Sequence, residues 1–248
     1  MINYIKAELY RNFNRKYLWI ATVIISILAI LANVALLKVK TDMDLETSNK
    51  ALAMLFNMVL TMPIFIVIIF VDCVTAEENK FDTVKNVITF GLSRTKLVLG
   101  KIITSTLLAI IVVIVAISVF IIAYATLIGL NDEMVVKFYD LLRNILVVMP
   151  LWIACMCMAT SISIVVKNSN VFVMIYLGII LLDGVVVKIL ETFVWSKFSI
   201  LNDILIDYKI EEITIGQADP LNAIFLGVIY IVLFTALSVV CINKKEIK

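Results

Sequence analysis

Six stretches of the chain are almost continuously apolar: Leu18–Leu37, Ala51–Thr75, Ile102–Leu130, Ile145–Val166, Val171–Leu190 and Asn222–Ile242. A helix crosses the hydrocarbon layer of a bilayer in about 20 residues. The runs do not alternate apolar with polar, which excludes a membrane β-barrel. With no water in the layer to satisfy backbone groups, helices are what remains. The pattern predicts an all-α polytopic membrane protein with six spans in one domain, residues 1–248. The run at Leu18 has no convincing cleavage site after it and reads as a retained span.

The polar intervals carry patterns of their own. In residues 1–17, Ile2, Ile5, Leu9 and Phe13 recur at spacings of three and four, with Lys6, Arg11, Asn14 and Arg15 elsewhere around the turn. That predicts an amphipathic interfacial helix, anchored by Tyr17 and Trp19. A plain basic flank that only sets topology is the blander reading. Residues 38–50 and 131–144 read as turns with few helical residues, and Pro150 then falls in the first turn of span four. The 191–221 connection is longer. Its pairs Ile200/Leu201 and Ile204/Leu205 predict a short amphipathic helix on the outer rim, against the alternative of a solvated acidic loop. Cys155, Ala159 and Ser163 repeat every four residues in span four and suit close helix packing, internal or between subunits.

Composition agrees, since 63% hydrophobic residues is far above the roughly 45–50% of soluble chains. Of the 21 Lys and Arg, 13 fall on the side that bears both termini. That asymmetry predicts cytoplasmic termini in a multi-pass protein of the cell (plasma) membrane. Segment 76–101 is then cytoplasmic and 191–221 extracellular.

Two carboxylates fall within spans. Asp72, near the inner end of span two, reads as a helix-end polar residue. Asp183 lies deeper and has three readings: lining a path, pairing with a neighbour, or sitting in a re-entrant segment broken at Gly184. The break is preferred, because Lys188 and Glu191 follow at once.

Much chemistry is excluded. The chain has no histidine, which removes Ser–His–Asp and Cys–His nucleophiles and histidine metal sites. Glu77-Glu78 cannot serve an intramembrane peptidase without histidine ligands. No phosphate-binding loop exists: Gly100-Lys101 has Thr95 where the first Gly belongs, and Ile102 after it. All four cysteines lie in or beside spans and read as small packing residues. The expectation is no catalytic residue, no metal and no cofactor on this chain.

What remains is the polar segment after span two. Phe81, Val84, Val87 and Ile88 share one helical side, with Asp82, Lys85, Asn86 and Thr89 off it. Gly91 suits a left-handed helix end, and Ser93 suits the cap of a helix running through Arg94, Lys96 and Lys101. Such a helix suits a groove on a soluble partner, or it is an ordinary connection with snorkelling basic residues. The run Glu77-x-x-x-Phe81-x-Thr83-Val84-Lys85-Asn86, continuing through Ser93-Arg94 to Gly100-Lys101, resembles the cytoplasmic loop of ABC type-2 transporter permeases. Asp82 before Thr83, where many members have Gly, is a departure. The six-span layout is similar too, and the small size is like the lantibiotic-protection and bacteriocin-export branch.

The resemblance implies a coupling helix that seats in a separate ABC ATPase subunit. Glu77, Phe81, Thr83, Lys85, Ser93 and Arg94 would belong to that element. ATP and Mg would be held by the ATPase, and a second permease subunit would complete a homo- or heterodimer. The function implied is an exporter of amphipathic or antimicrobial peptides or hydrophobic antibiotics. A non-transporting immunity or anchor protein that binds a peptide, and a secondary transporter, are the alternatives.

Overall fold

The computed structural model describes residues 1–42, 44–76, 91–166, 168–217 and 219–244. Among these, every regular element is helical. A short helix α1 (Ile2–Phe13) precedes six long ones: α2 (Lys16–Asp42), α3 (Leu45–Val71), α4 (Arg94–Leu127), α5 (Asp132–Val165), α6 (Ser169–Phe193) and α8 (Pro220–Lys244). A π-turn (Asp72–Ala76) extends α3. A 3-10 segment (Ser196–Ile204) and a short helix α7 (Ile206–Ile215) join α6 to α8. The six long helices are each long and apolar enough to cross a membrane. They overrun the apolar runs at most ends, because a helix continues into the headgroup region until its chain breaks.

Helix α5 is the axis of the bundle. Within its most apolar window 67% is buried in the protein, against 11% for α8 and 17% for α2 and α6. The latter three therefore leave most of their surface uncovered by the rest of the chain. Cys155 and Ala159 of α5 are wholly buried and Ser163 nearly so, which assigns the small-residue stripe to internal packing. The tightest contact is with α8: a β-carbon on Gly227 would stand 2.7 Å from Pro150 Cβ and 2.8 Å from its carbonyl carbon. Only glycine admits that approach. Pro150 thus lies deep inside α5, not in a first turn, because α5 begins at Asp132 and absorbs the predicted 131–144 connection.

Proline also marks α3, at Pro63. A proline removes one backbone donor and pushes at the preceding turn. Carbonyls on either side of it take side-chain donors from neighbours: Trp152 Nε1 to Leu60 O at 3.0 Å, and Tyr176 OH to Ile64 O at 2.8 Å. Asn33 Nδ2 of α2 reaches Phe120 O of α4 at 3.2 Å. Phe56, Phe120, Tyr124 and Phe138 close the same region with ring centroids 5.0 to 6.5 Å apart.

Two sequence expectations shift. Helix α6 runs unbroken through Asp183-Gly184, so the preferred re-entrant break is wrong. Asp183 Oδ1 accepts the Gly184 N–H at 2.7 Å, and Lys188 is exposed near the end of α6, where its charge costs little. The rim helix is α7 and not the 200–205 stretch: Ile206, Ile210 and Ile213 are buried, whereas Ile200 and Ile204 are exposed. The alternation of apolar residues continued past Leu205, and the buried set is the one that packs under the bundle edge.

Candidate functional site at the α1 end of the bundle

Both ends of the undescribed stretch 77–90 are tied to the bundle at one end, beside α1. On the outgoing side lies the π-turn. The hydroxyl of Ser169, first residue of α6, donates to Asp72 Oδ1. Arg15, between α1 and α2, donates from Nη1 to the Cys73 carbonyl at 3.1 Å. Lys101 of α4 donates from Nζ to the Val74 carbonyl at 3.5 Å. Lys101 is only 2% exposed, and a buried ammonium persists only where acceptors hold it. Cations from two other parts of the chain thus supply charged donors to consecutive carbonyls of this turn.

On the returning side, Gly91 has φ +91°, the left-handed state that glycine adopts freely. Ser93 caps α4, its side chain accepting from the Lys96 N–H at 3.4 Å. Arg94 Nη1 then donates to the carbonyls of Ile242 and Asn243, both at 3.0 Å, in the last turn of α8. A cation at a helix C-terminus also meets the negative end of the helix dipole.

Helix α1 packs here with an unexpected face. Glu8 and Asn12 are buried at 5% and 1% exposure, while Ile2 is exposed and Leu9 and Phe13 are half-buried. Arg11 Nη2 donates to Glu8 Oε2 at 2.6 Å, and Asn12 Nδ2 to the Glu8 carbonyl at 2.9 Å. The Tyr4 ring lies on Gly100, where a β-carbon would come within 2.6 Å of Cδ1. The polar stripe thus meets protein beside the apolar one: Leu9 and Phe13 pack on the edge of the core, and of the four apolar positions Ile2 is the exposed one.

Of the residues singled out from the sequence, Ser93, Arg94 and Asp72 fall in this one region. Glu77, Phe81, Thr83 and Lys85 lie outside the described residues. Asp183 is elsewhere, toward the α7 end of α6; Asp207 Oδ2 lies 3.8 Å from where a Gly184 β-carbon would stand. Sequence reasoning missed Arg15 and Ser169 as parts of the site, and took Lys101 as a motif position without its contact. The available signal was their place at the edge of apolar runs, which reads equally well as plain snorkelling.

Two apolar grooves flank α3 and α4, of about 420 and 310 Å³, sharing Pro63, Ile66, Val113 and Ile117 in their walls. A smaller cleft of about 230 Å³ opens at the α7 end, with Asn49, Lys137, Asp140 and Asn144 around an apolar floor. Among the described residues, the α1 end is a set of connections at the two flanks of 77–90.

No curated protein matches the sequence. A family model described as ABC-2 family transporter protein matches residues 4–184, which take in α1, both flanks of 77–90 and most of α6. Members of that family are membrane transport subunits that are not themselves catalytic and that imply an ABC ATPase as partner. With well over half of its length matched, and six spans built around the tied segment, the chain belongs to the ABC-2 transporter family.

Proposed function

We propose that this chain is the permease of an ATP-driven exporter and that segment 76–101 is the seat of its ATPase. The carrying observation is that both flanks of 77–90 are bonded to four other elements: the α1–α2 link, α4, α6 and α8. A force applied to that segment therefore reaches most of the bundle. In this reading Glu77, Phe81, Thr83, Lys85, Ser93 and Arg94 make the coupling element, with ATP and Mg bound by the partner.

Lys6, Arg11, Arg15, Lys16, Arg94, Lys96, Lys101 and Lys244 gather at the α1 end. That favours a cytoplasmic α1 end, with both termini inside the cell membrane. A second permease subunit completes the unit, and amphipathic or antimicrobial peptides or hydrophobic antibiotics are its substrates. Support for such substrates is the pair of apolar grooves open along α3 and α4. The lack of histidine and of a phosphate loop supports the separate ATPase.

The test is co-purification of the tagged chain from its own cells, followed by ATP turnover of the complex in nanodiscs. An ATPase with a phosphate-binding loop is expected, and Arg94→Glu is expected to lower substrate-stimulated turnover several-fold. Recovery of no such ATPase, with turnover in membranes unchanged by Arg94→Glu, overturns the reading in favour of a peptide-binding immunity protein or a secondary transporter.

A further inference from the structure

A π-turn holds one residue more than the α-helical turn it replaces; its i→i+5 bonding is rare, appears mostly as single turns inside α-helices, and is frequent at functional sites. Here Asp72–Ala76 forms such a turn at the last point before residue 77. Its three consecutive leading residues are each bonded by a different element: Asp72 by Ser169, Cys73 by Arg15, Val74 by Lys101. Two of the three donors are cations, and Lys101 is buried. The surrounding chain therefore over-determines an uncommon backbone state.

We propose that this turn is a latched hinge, and that Arg15, Lys101 and Ser169 are positioning residues that hold it in its π register. Release of the latch lets the turn give up its extra residue and continue α3 as α-helix. One residue of register is about 100° of rotation and ~1.5 Å of rise, so the direction in which the chain leaves the turn at Ala76 changes relative to α3. The hinge is thus a discrete two-state element, the kind that passes a local change through a packed bundle. That it is a partner ATPase which works the hinge rests on the reading proposed above; the latch itself does not.

The chain carries its own reporter. Cys73 lies in the turn at 8% exposure, while Cys155 and Cys157 are fully buried in α5. Cys241 is the one of the four that is not buried, and Cys241→Ser removes it. Full-length protein in nanodiscs is treated with a maleimide, and labelling at Cys73 is timed by mass spectrometry. Lys101→Met keeps the length of the side chain and removes its donor; it is expected to speed Cys73 labelling about tenfold or more. Arg15→Gln should do the same, Ser169→Ala should give about a twofold to threefold rise, and Lys101→Arg should restore slow labelling. Cys155 and Cys157 report misfolding: if they label in Lys101→Met, the decision passes to Arg15→Gln and Ser169→Ala. Unchanged Cys73 labelling in the folded variants overturns the latch. A fast Cys73 in a chain that captures no ATPase leaves the latch standing and overturns the exporter. Where an ATPase is captured, Lys101→Met should retain it while lowering substrate-stimulated turnover, and rescue by Lys101→Arg separates positioning from general damage.

Discussion

The two ends of the bundle are held together in different ways. At the α1 end, side chains donate to backbone or carboxylate oxygens far away in sequence: Arg15 to Cys73, Lys101 to Val74, Arg94 to Ile242 and Asn243, Ser169 to Asp72. At the α7 end, the ion pairs among the described residues stay within one helix, as Arg11–Glu8 does in α1: Lys50–Glu46, Lys137–Glu133 and Lys209–Glu212. Cross-links between elements there are neutral or exposed, as with Tyr230 OH to Ile204 O and Lys137 Nζ to Asn49 Oδ1. Ion pairs within a helix stiffen that helix and leave its neighbours free. Bonds that join elements make several helices answer to one displacement. In the proposed reading the first end would transmit and the second would yield.

The largest effect should come from the contact that both ends depend on. Gly227→Leu drives a side chain into the Pro150 backbone and forces α5 and α8 apart. Overpacking of this kind costs about 1–3 kcal/mol or more, and thermal unfolding in detergent should begin several degrees lower. Gly100→Ala is a milder version, because the neighbour is the Tyr4 ring and a ring can swing aside. If both substitutions lower the unfolding temperature equally, close helix approach is not what distinguishes them.

Next is Trp152→Phe, which removes the donor to the Leu60 carbonyl beside Pro63. Interhelical hydrogen bonds in membranes average about 0.6 kcal/mol and reach ~1.7. Hydrogen exchange should quicken in α3 on both sides of Pro63 and leave α1 unchanged. Arg94→Ala should act on one end alone, raising exchange in the last turn of α8 around Ile242 and Asn243 several-fold. Uniform loosening along all of α8 would argue against a local tie. The smallest effect is expected at the yielding end. Lys50→Ala breaks an exposed pair worth about 0.3–0.5 kcal/mol, and neither stability nor ATP turnover should move measurably. A loss of turnover there as large as that of Arg94→Glu would erase the distinction between the ends.

How legible the molecule was depends on the kind of signal. The six long helices follow from apolar runs whose length is set by the bilayer; four runs lie within the helices found, and those ending at Leu130 and Val166 overshoot by one to three residues. Ser93 as a cap and Gly91 at positive φ were readable because each answers to a local backbone demand. Asp183-Gly184 misled because a glycine after an acid within a span looks like a break, yet the half-buried carboxylate is met by the adjacent N–H and the helix runs on. Pro150 misled because the polar residues before it looked like a loop, while charges such as Asp132 and Glu133 in fact favour a helix N-terminus. The polar stripe of α1 was visible as residues and not as a buried face: burying Glu8 and Asn12 is favourable only once partners exist.

The sequence by itself determined that the chain crosses a membrane six times, that it brings no histidine and no phosphate loop, and that its longest polar stretch on the basic side lies between spans two and three. Those follow from solvent transfer and residue chemistry, which act position by position. The tertiary structure decided which carbonyls the basic residues reach, that α5 is the axis, and that α3 runs into a π-turn bonded by three other elements. Which side chain reaches a given carbonyl is fixed only when helices distant in sequence are packed together.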